Sequence, residues 1–544
     1  MVVRALEELG VRHVFGIVSV HNLPIMSAIK DSDRIQVVNM RHEQAAVHAA
    51  DGYARATGRL GVALTSTGPG AANAMGGLFE AGFASSRVLM ITGQVESRFY
   101  GQGRSFLHEA ERQQQMLGSI LRDVVSVRRT VDIPGAVARA ATAILTGRPQ
   151  PAAVEIPIDL QYAEDEMPPM PEVAPPAARV DEARVRKAAE LLSAAERPLL
   201  WSGGGVLSGG AEEELRGLAE DLDIPVVTSV EGRGALPEEH RLCVGALANG
   251  PDVRRLIKEA DVVLAVATRF QMLPTGNWSA RPAGELIHLD ADPAVINRSF
   301  PAGLGIVADA RAGLAAIRRH ATAGPDRTAW TATAAAARDA GRARIHEQIG
   351  PDHRAIYEAI RRHLPDAGCV VRDATVPAYT WGDRLLPIRR PRTSLRPASA
   401  AIGPGLPLAI GAAMATGERT VVIQGDGGLM LSVGELAAVA QYGMPITLCV
   451  FNDGGYGVLR RIETATYGRT HDVDLATPRF ADLAAAFGLH SIRVSSAADF
   501  EDAFKDSVVR GGPTVIEVDA AALTPIAYPV GGGLPEWDRL AREG

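Results

Sequence analysis

Two carboxylates set among glycines carry the plainest chemistry in this sequence. Asp426 lies in Gly425-Asp426-Gly427-Gly428, and Asp453 lies in Asn452-Asp453-Gly454-Gly455-Tyr456-Gly457. Each cluster ends an apolar run, Thr420-Val421-Val422-Ile423-Gln424 before the first and Ile446-Thr447-Leu448-Cys449-Val450-Phe451 before the second. Short, continuous, β-branched runs read as buried parallel strands. Between them, Leu429 to Tyr442 has helical spacing, with Leu436, Val439 and Ala440 on one face. The unit is therefore strand, helix, strand, and both clusters fall at the carboxyl ends of neighbouring strands, where open α/β sheets bind ligands. Two carboxylates meeting there suit a Mg²⁺ that carries a diphosphate: hard oxygen ligands for the ion, bare backbone amides for the phosphate. A lone Gly-Asp-Gly is commonly a turn, and it is the second cluster that raises this one above that reading.

The elements that must position these residues follow from the rest of the chain. Its 544 residues are enough for about three domains. A net charge of −7 gives no reason to expect nucleic acid or an anionic membrane as partner. No apolar run reaches the roughly 20 residues of a membrane span, and Val2 to Leu9 reads as an amphipathic helix and not a signal peptide. Cys243, Cys369 and Cys449 are far apart and read as reduced core residues of a cytoplasmic protein. Strands and helices alternate in three blocks, which predicts three α/β domains with doubly wound parallel sheets. The expected blocks are residues 1–165, 181–325 and 350–525, with a C-terminal tail over 526–544. A proline-rich linker from Met167 to Pro176 separates the first two. An alanine- and arginine-rich helical linker from Ala310 to about Arg344 separates the last two.

The first block adds Arg41-His42-Glu43-Gln44-Ala45-Ala46, then Asp51-Gly52-Tyr53-Ala54-Arg55, then Ser66-Thr67-Gly68-Pro69-Gly70-Ala71-Ala72-Asn73. It resembles the pyrimidine-binding domain of thiamine diphosphate enzymes of the acetolactate synthase, benzoylformate decarboxylase and benzaldehyde lyase group. The third block resembles their diphosphate-binding domain, so the likeness covers nearly the whole chain. In that family a glutamate hydrogen-bonds N1′ of the aminopyrimidine and favours the imino tautomer, whose nitrogen deprotonates C2 of the thiazolium. The resemblance gives this part to Glu43, with burial expected to raise its carboxyl pKa. A glutamate that only caps its helix is the plainer alternative. By the same likeness Ile402, before Gly403, is the apolar wedge beneath the bent cofactor, and Met430 is core packing. Gly403, Gly425, Gly427, Gly428 and Tyr456 line the cofactor. Asp426, Asp453 and the Gly455 carbonyl hold the metal, with Asn452 as a substitute ligand.

Above the thiazolium the likeness implies His21, matching a histidine of benzaldehyde lyase-like enzymes, and His108, near the place of an active-site glutamine in acetolactate synthase-like enzymes. Both are candidates for moving substrate protons. Ser66 is a further candidate, while Gln113, Gln114 and Gln115 read as an exposed polar face, with one of them reaching the cofactor as the alternative. Val20 stands where pyruvate decarboxylase-type enzymes have an acidic residue, which argues against simple aldehyde release. The expected function is thiamine diphosphate- and Mg²⁺-dependent decarboxylation of a 2-oxo acid with carboligation. The alternatives are a hydroxyketone lyase and a non-catalytic cofactor-binding homologue. The likeness also implies a homodimer or homotetramer. Gly203-Gly204-Gly205 and Asp290-Ala291-Asp292 loosely follow a dinucleotide fingerprint, and a structural Rossmann-like domain is preferred there over bound FAD. The tail around Tyr528 to Trp537 is read as a lid.

Overall fold

The computed structural model describes residues 1–174 and 179–527; the lid reading of Tyr528 to Trp537 lies outside them. The β-branched runs become three six-stranded, all-parallel sheets among the described residues, each flanked by helices. The fold class is therefore the one expected.

The first sheet holds β1 (His13–Gly16), β2 (Gln36–Asn39), β3 (Gly61–Thr65), β4 (Val88–Gln94), β5 (Asp123–Ser126) and β6 (Ala152–Pro157), in the order β2-β1-β3-β4-β6-β5. The second holds β7 (Pro198–Ser202), β8 (Val226–Thr228), β9 (Cys243–Gly245), β10 (Val262–Val266), β11 (Glu285–Asp290) and β12 (Leu304–Val307), in the order β12-β11-β10-β7-β8-β9. The third holds β13 (Cys369–Arg372), β14 (Ser394–Leu395), β15 (Thr420–Gly425), β16 (Ile446–Asn452), β17 (His490–Val494) and β18 (Thr514–Asp519), in the order β14-β13-β15-β16-β18-β17. The first and third sheets thus share one topology. The second has the classical dinucleotide-fold order, which reverses between β7 and β10.

The first and third sheets are joined within the chain by two helices, Glu43–Thr57 and Gly405–Thr416. Their backbones touch. A Cβ on Gly52 would lie 2.1 Å from the Leu408 carbonyl oxygen, and one on Gly411 would lie 1.9 Å from that of Ala49. Only glycine fits at both crossings, so the small residues of this pair set how closely the two sheets approach. The three cysteines are buried and unpaired.

Two local expectations change. The Leu429–Tyr442 helix is broken: Asp426–Met430 and Leu436–Tyr442 are separate helices, with a single tight turn over Val433–Glu435. The helical linker expected from Ala310 to about Arg344 is two helices: Ala310–His320, and Thr328–His363, which runs well past Arg344 and is interrupted at Gly350 (φ 71°). Pro351 explains that kink, since proline lacks the amide and crowds the preceding turn. No helix among the described residues is long and apolar enough to cross a membrane.

Candidate functional site

β15 and β16 pair in parallel from Thr420↔Ile446 to Gly425↔Phe451, so the two acidic clusters leave the same edge of the third sheet side by side. Asp426 begins a helix directly after β15 and is almost wholly buried, and its Oδ2 has no hydrogen-bond partner. Burial, and then the Asp453 charge, push its carboxyl up to about 6, while backbone hydrogen bonds from Gly427 and Gly455 favour ionisation. Burial likewise raises Asp453, which is opposed first by Arg460, 3.8 Å away. Two carboxylates that disfavour each other's charge, one with an orphaned oxygen, are a donor set that a hard divalent cation satisfies. Asn452 is not arranged for this. Its Nδ2 donates to Glu517 and its Oδ1 accepts from Gly454 N.

The surrounding glycines are dictated by close approach. A Cβ on Gly427 would lie 2.8 Å from the Tyr456 ring, and Tyr456 is itself anchored by its N–H to the Val473 carbonyl. Gly403 adopts φ 104°, and its N–H donates to both oxygens of Asp373 at 3.0 Å. Gly405 N and Gln424 Nε2 donate to Asp373 as well. One buried carboxylate thus ties the Ile402–Gly405 turn to the end of β15. Ile402 is 37% exposed, and its Cγ2 would sit 3.5 Å from a Cβ on Gly428. It therefore projects beside the glycine-rich turn.

The first sheet presents its candidates at its own carboxyl edge: His21 after β1, Glu43 after β2, Ser66 to Gly70 after β3, and Gly93 at the end of β4. Glu43 opens the Glu43–Thr57 helix, whose cap is His42, and its Oε2 accepts from Asn73 Nδ2 at 3.1 Å. Gly70 abuts it, since a Cβ there would lie 3.2 Å from Glu43 Oε1 and 2.9 Å from Ser66 Cβ. Ser66 is buried with an unpartnered Oγ. Contrary to expectation, Glu43 is only half-buried in the single chain. It stands at an open edge, and small residues cover the helix behind it instead. His21 is buried, His108 is exposed, and the two rings stand 5.1 Å apart.

Comparison with protein families matches residues 1–117 to "Thiamine pyrophosphate enzyme, N-terminal TPP binding domain", 185–317 to the central domain of the same enzymes, and 376–518 to their C-terminal TPP binding domain. Among curated proteins, a probable acetolactate synthase large subunit of Methanocaldococcus jannaschii is 30% identical over 97% of this chain and 93% of its own. Acetolactate synthase isozyme 3 large subunit of Escherichia coli is 31% identical over 98% and 97%, and an acetolactate synthase of Mycobacterium bovis 33% over 95% and 87%. The chain belongs to the thiamine pyrophosphate enzymes of the acetolactate synthase group. It is a thiamine diphosphate-dependent enzyme that decarboxylates a 2-oxo acid with carboligation. The hydroxyketone lyase and non-catalytic readings are not favoured.

Within this thiamine diphosphate enzyme, several residues depart from the reading of the sequence. Met430 is not core. It is 40% exposed, at the last residue of the Asp426–Met430 helix. Gln113 is not on an exposed face. It is buried, accepts from Gly68 N and Thr67 Oγ1, and donates to the Gly93 carbonyl and Glu155. Asp373 and Glu435 gave no signal in the sequence. Glu435 accepts from Arg41 N and His42 N, just before Glu43, and burial pushes it up to about 7. In the central domain, the Gly204–Gly205 turn and Asp290 do face one cleft, of about 360 Å³, that Arg269 and Arg392 also line. The cleft lies at the point where the strand order reverses.

Proposed function

We propose that this enzyme binds thiamine diphosphate through Mg²⁺ at the third-sheet edge and passes the acyl unit of a small 2-oxo acid to a second carbonyl, as its acetolactate synthase relatives are named for doing. The observation that carries this reading is the buried, unpartnered Asp426 Oδ2, on a carboxyl that the Asp453 charge already disfavours. Asp426, Asp453 and the Gly455 carbonyl hold the ion. The amides of Gly425, Gly427 and Gly428 face the diphosphate, Tyr456 closes over Gly427, and Ile402 with Gly403 supports the bend. When bound, the cofactor supplies a carbon nucleophile that releases carbon dioxide from the 2-oxo acid. Glu43 holds a proton at the pyrimidine, while His21 and His108 face the substrate. FAD is not part of this reading, and the central domain is structural.

The half-buried Glu43 and the exposed Ile402, Met430 and Leu431 support a homodimer or homotetramer, in which the first domain of one copy covers the third domain of another. Domain limits near residues 165, 181, 325 and 350 remain part of the same proposal. The test is Glu43→Gln in purified protein with thiamine diphosphate and Mg²⁺. Cofactor binding, read by circular dichroism, is retained, while carbon dioxide release from a panel of 2-oxo acids falls at least a hundredfold. Unchanged turnover would refute the assignment of Glu43.

A further inference from the structure

His21 and His108 come from different loops, yet the fold seats both on glycines. A Cβ on Gly93 would lie 2.4 Å from the His21 carbonyl oxygen, and one on Gly68 would lie 2.2 Å from that of His108. Gln113 binds both seats, accepting from Gly68 N at 2.7 Å and donating to Gly93 O at 3.2 Å. Gln161 pins the His21 carbonyl at 2.8 Å. The loop over Gly68 continues to Gly70 and Glu43, so the two imidazoles share the edge that carries the pyrimidine contact. Their burial differs sharply. His21 is 3% exposed with no partner for Nδ1, whereas His108 is open to solvent at the same rim.

We propose that His21 and His108 form a two-step proton relay, in which buried His21 protonates the substrate and exposed His108 refills it from solvent. This rests on the carboligation reading given above. That chemistry consumes one proton per turnover. The carboxylate leaves as neutral carbon dioxide, its electron pair ends in the new carbon–carbon bond, and the π pair of the acceptor carbonyl must pick up a proton at oxygen. No electron acceptor or donor is needed. A histidine sealed behind the substrate cannot be recharged by solvent directly, and a second ring 5.1 Å away reaches it directly or through one water. Glu109, on the His108 loop, is turned back onto Gly103 N and Phe106 N. The groups that act on His21 are burial first, then the His108 ring, both opposing its charge, and the Leu107 backbone favouring it.

The experiment uses His108→Asn in the full-length enzyme. Turnover with a 2-oxo acid and its acceptor falls about tenfold or more with little change in KM, and added imidazole restores it in a concentration-dependent way. In the cofactor-free protein carrying isotope-labelled histidine, the His21 ring titrates at a higher pH once His108 is gone, because a like charge has been removed. Turnover that is unchanged, or lowered but indifferent to imidazole, overturns the relay. So does a His21 titration that ignores the substitution. If the wild-type enzyme ligates no acceptor, the carboligation reading fails, and the relay built on it falls with it; the titration then still reports whether the rings are coupled.

Discussion

Asp426→Asn separates what this carboxylate does for the metal from what it does to the fold. In the metal-free protein the carboxyl is pushed from 3.8 up to about 6, by burial first and the Asp453 charge second. A folded pKa above the unfolded one means that ionisation works against folding. The penalty is absent below the unfolded value of about 3.8, grows as pH rises towards 6, and is complete above it. Two pKa units correspond to roughly 3 kcal/mol at pH 7, and about half of that remains at pH 5. Asparagine keeps the shape and drops the charge. With a chelator present, calorimetry should therefore show the variant unfolding at a higher temperature than wild type at pH 7, with the gap narrowing at pH 5. With saturating thiamine diphosphate and Mg²⁺ the order reverses, because only wild type gains the full binding energy. A metal-free variant no more stable at pH 7, or a gap independent of pH, would show that burial and charge repulsion do not govern this site. Equal stabilisation of both proteins by cofactor and metal would show that Asp426 is not a ligand.

Gly411→Ala puts a Cβ where the Ala49 carbonyl oxygen lies 1.9 Å away, so the two joining helices must separate. A loss of about 1–3 kcal/mol is expected, read as a lower unfolding midpoint without loss of helical circular dichroism. Asp373→Asn replaces an acceptor of four hydrogen-bond donors, Ala374 N, Gly403 N, Gly405 N and Gln424 Nε2, with an amide that must turn its own donors towards some of them. About 1–3 kcal/mol is at stake for each buried group left unsatisfied. The Ile402–Gly405 turn should loosen, and the apparent affinity for thiamine diphosphate should fall at least tenfold in an equilibrium titration while the sheet stays intact.

The pairing of the two acidic clusters at one sheet edge was legible in the sequence because everything it needs is local. Two β-branched runs announce parallel strands, glycines mark close backbone approach, and an aspartate follows each strand directly. The three sheets were legible for the same reason. What failed to show is non-local. Gln113 sits among two other glutamines in a stretch that reads as surface, and only the fold reveals that it binds Gly68, in the loop after β3, and Gly93, in β4. Asp373 and Glu435 likewise act on amides some thirty and nearly four hundred residues away. Met430 was misread because the period of the Leu429–Tyr442 segment is helical on both sides of the break, and periodicity does not register the break between Met430 and Leu436. The burial expected of Glu43 failed for another reason. Its helix packs against the Gly405–Thr416 helix through Gly52 and Gly411, and that contact leaves the first turn half-open in the single chain.

Asp373 and Asp426 make the case that a perturbed carboxyl alone does not identify a ligand. Both leave the carboxyl edge of the third sheet, both are buried, and burial pushes both up to about 6. A search for shifted titrations would rank them together. Their hydrogen bonds separate them. Asp373 spends its oxygens on three backbone amides and the Gln424 side chain, so its environment is complete and its work is to hold the Ile402–Gly405 turn in shape. Asp426 keeps one oxygen buried and without a donor, beside a second carboxylate that makes its charge costlier still. A fold retains an arrangement of that kind when a cation repays it. The distinction is measurable in one comparison. Mg²⁺ with thiamine diphosphate should raise the unfolding temperature of the Asp373→Asn protein once the cofactor is saturating, since its ligands are intact, and should leave Asp426→Asn nearly unmoved. If both variants respond alike, the unpartnered oxygen is not the mark of the metal site.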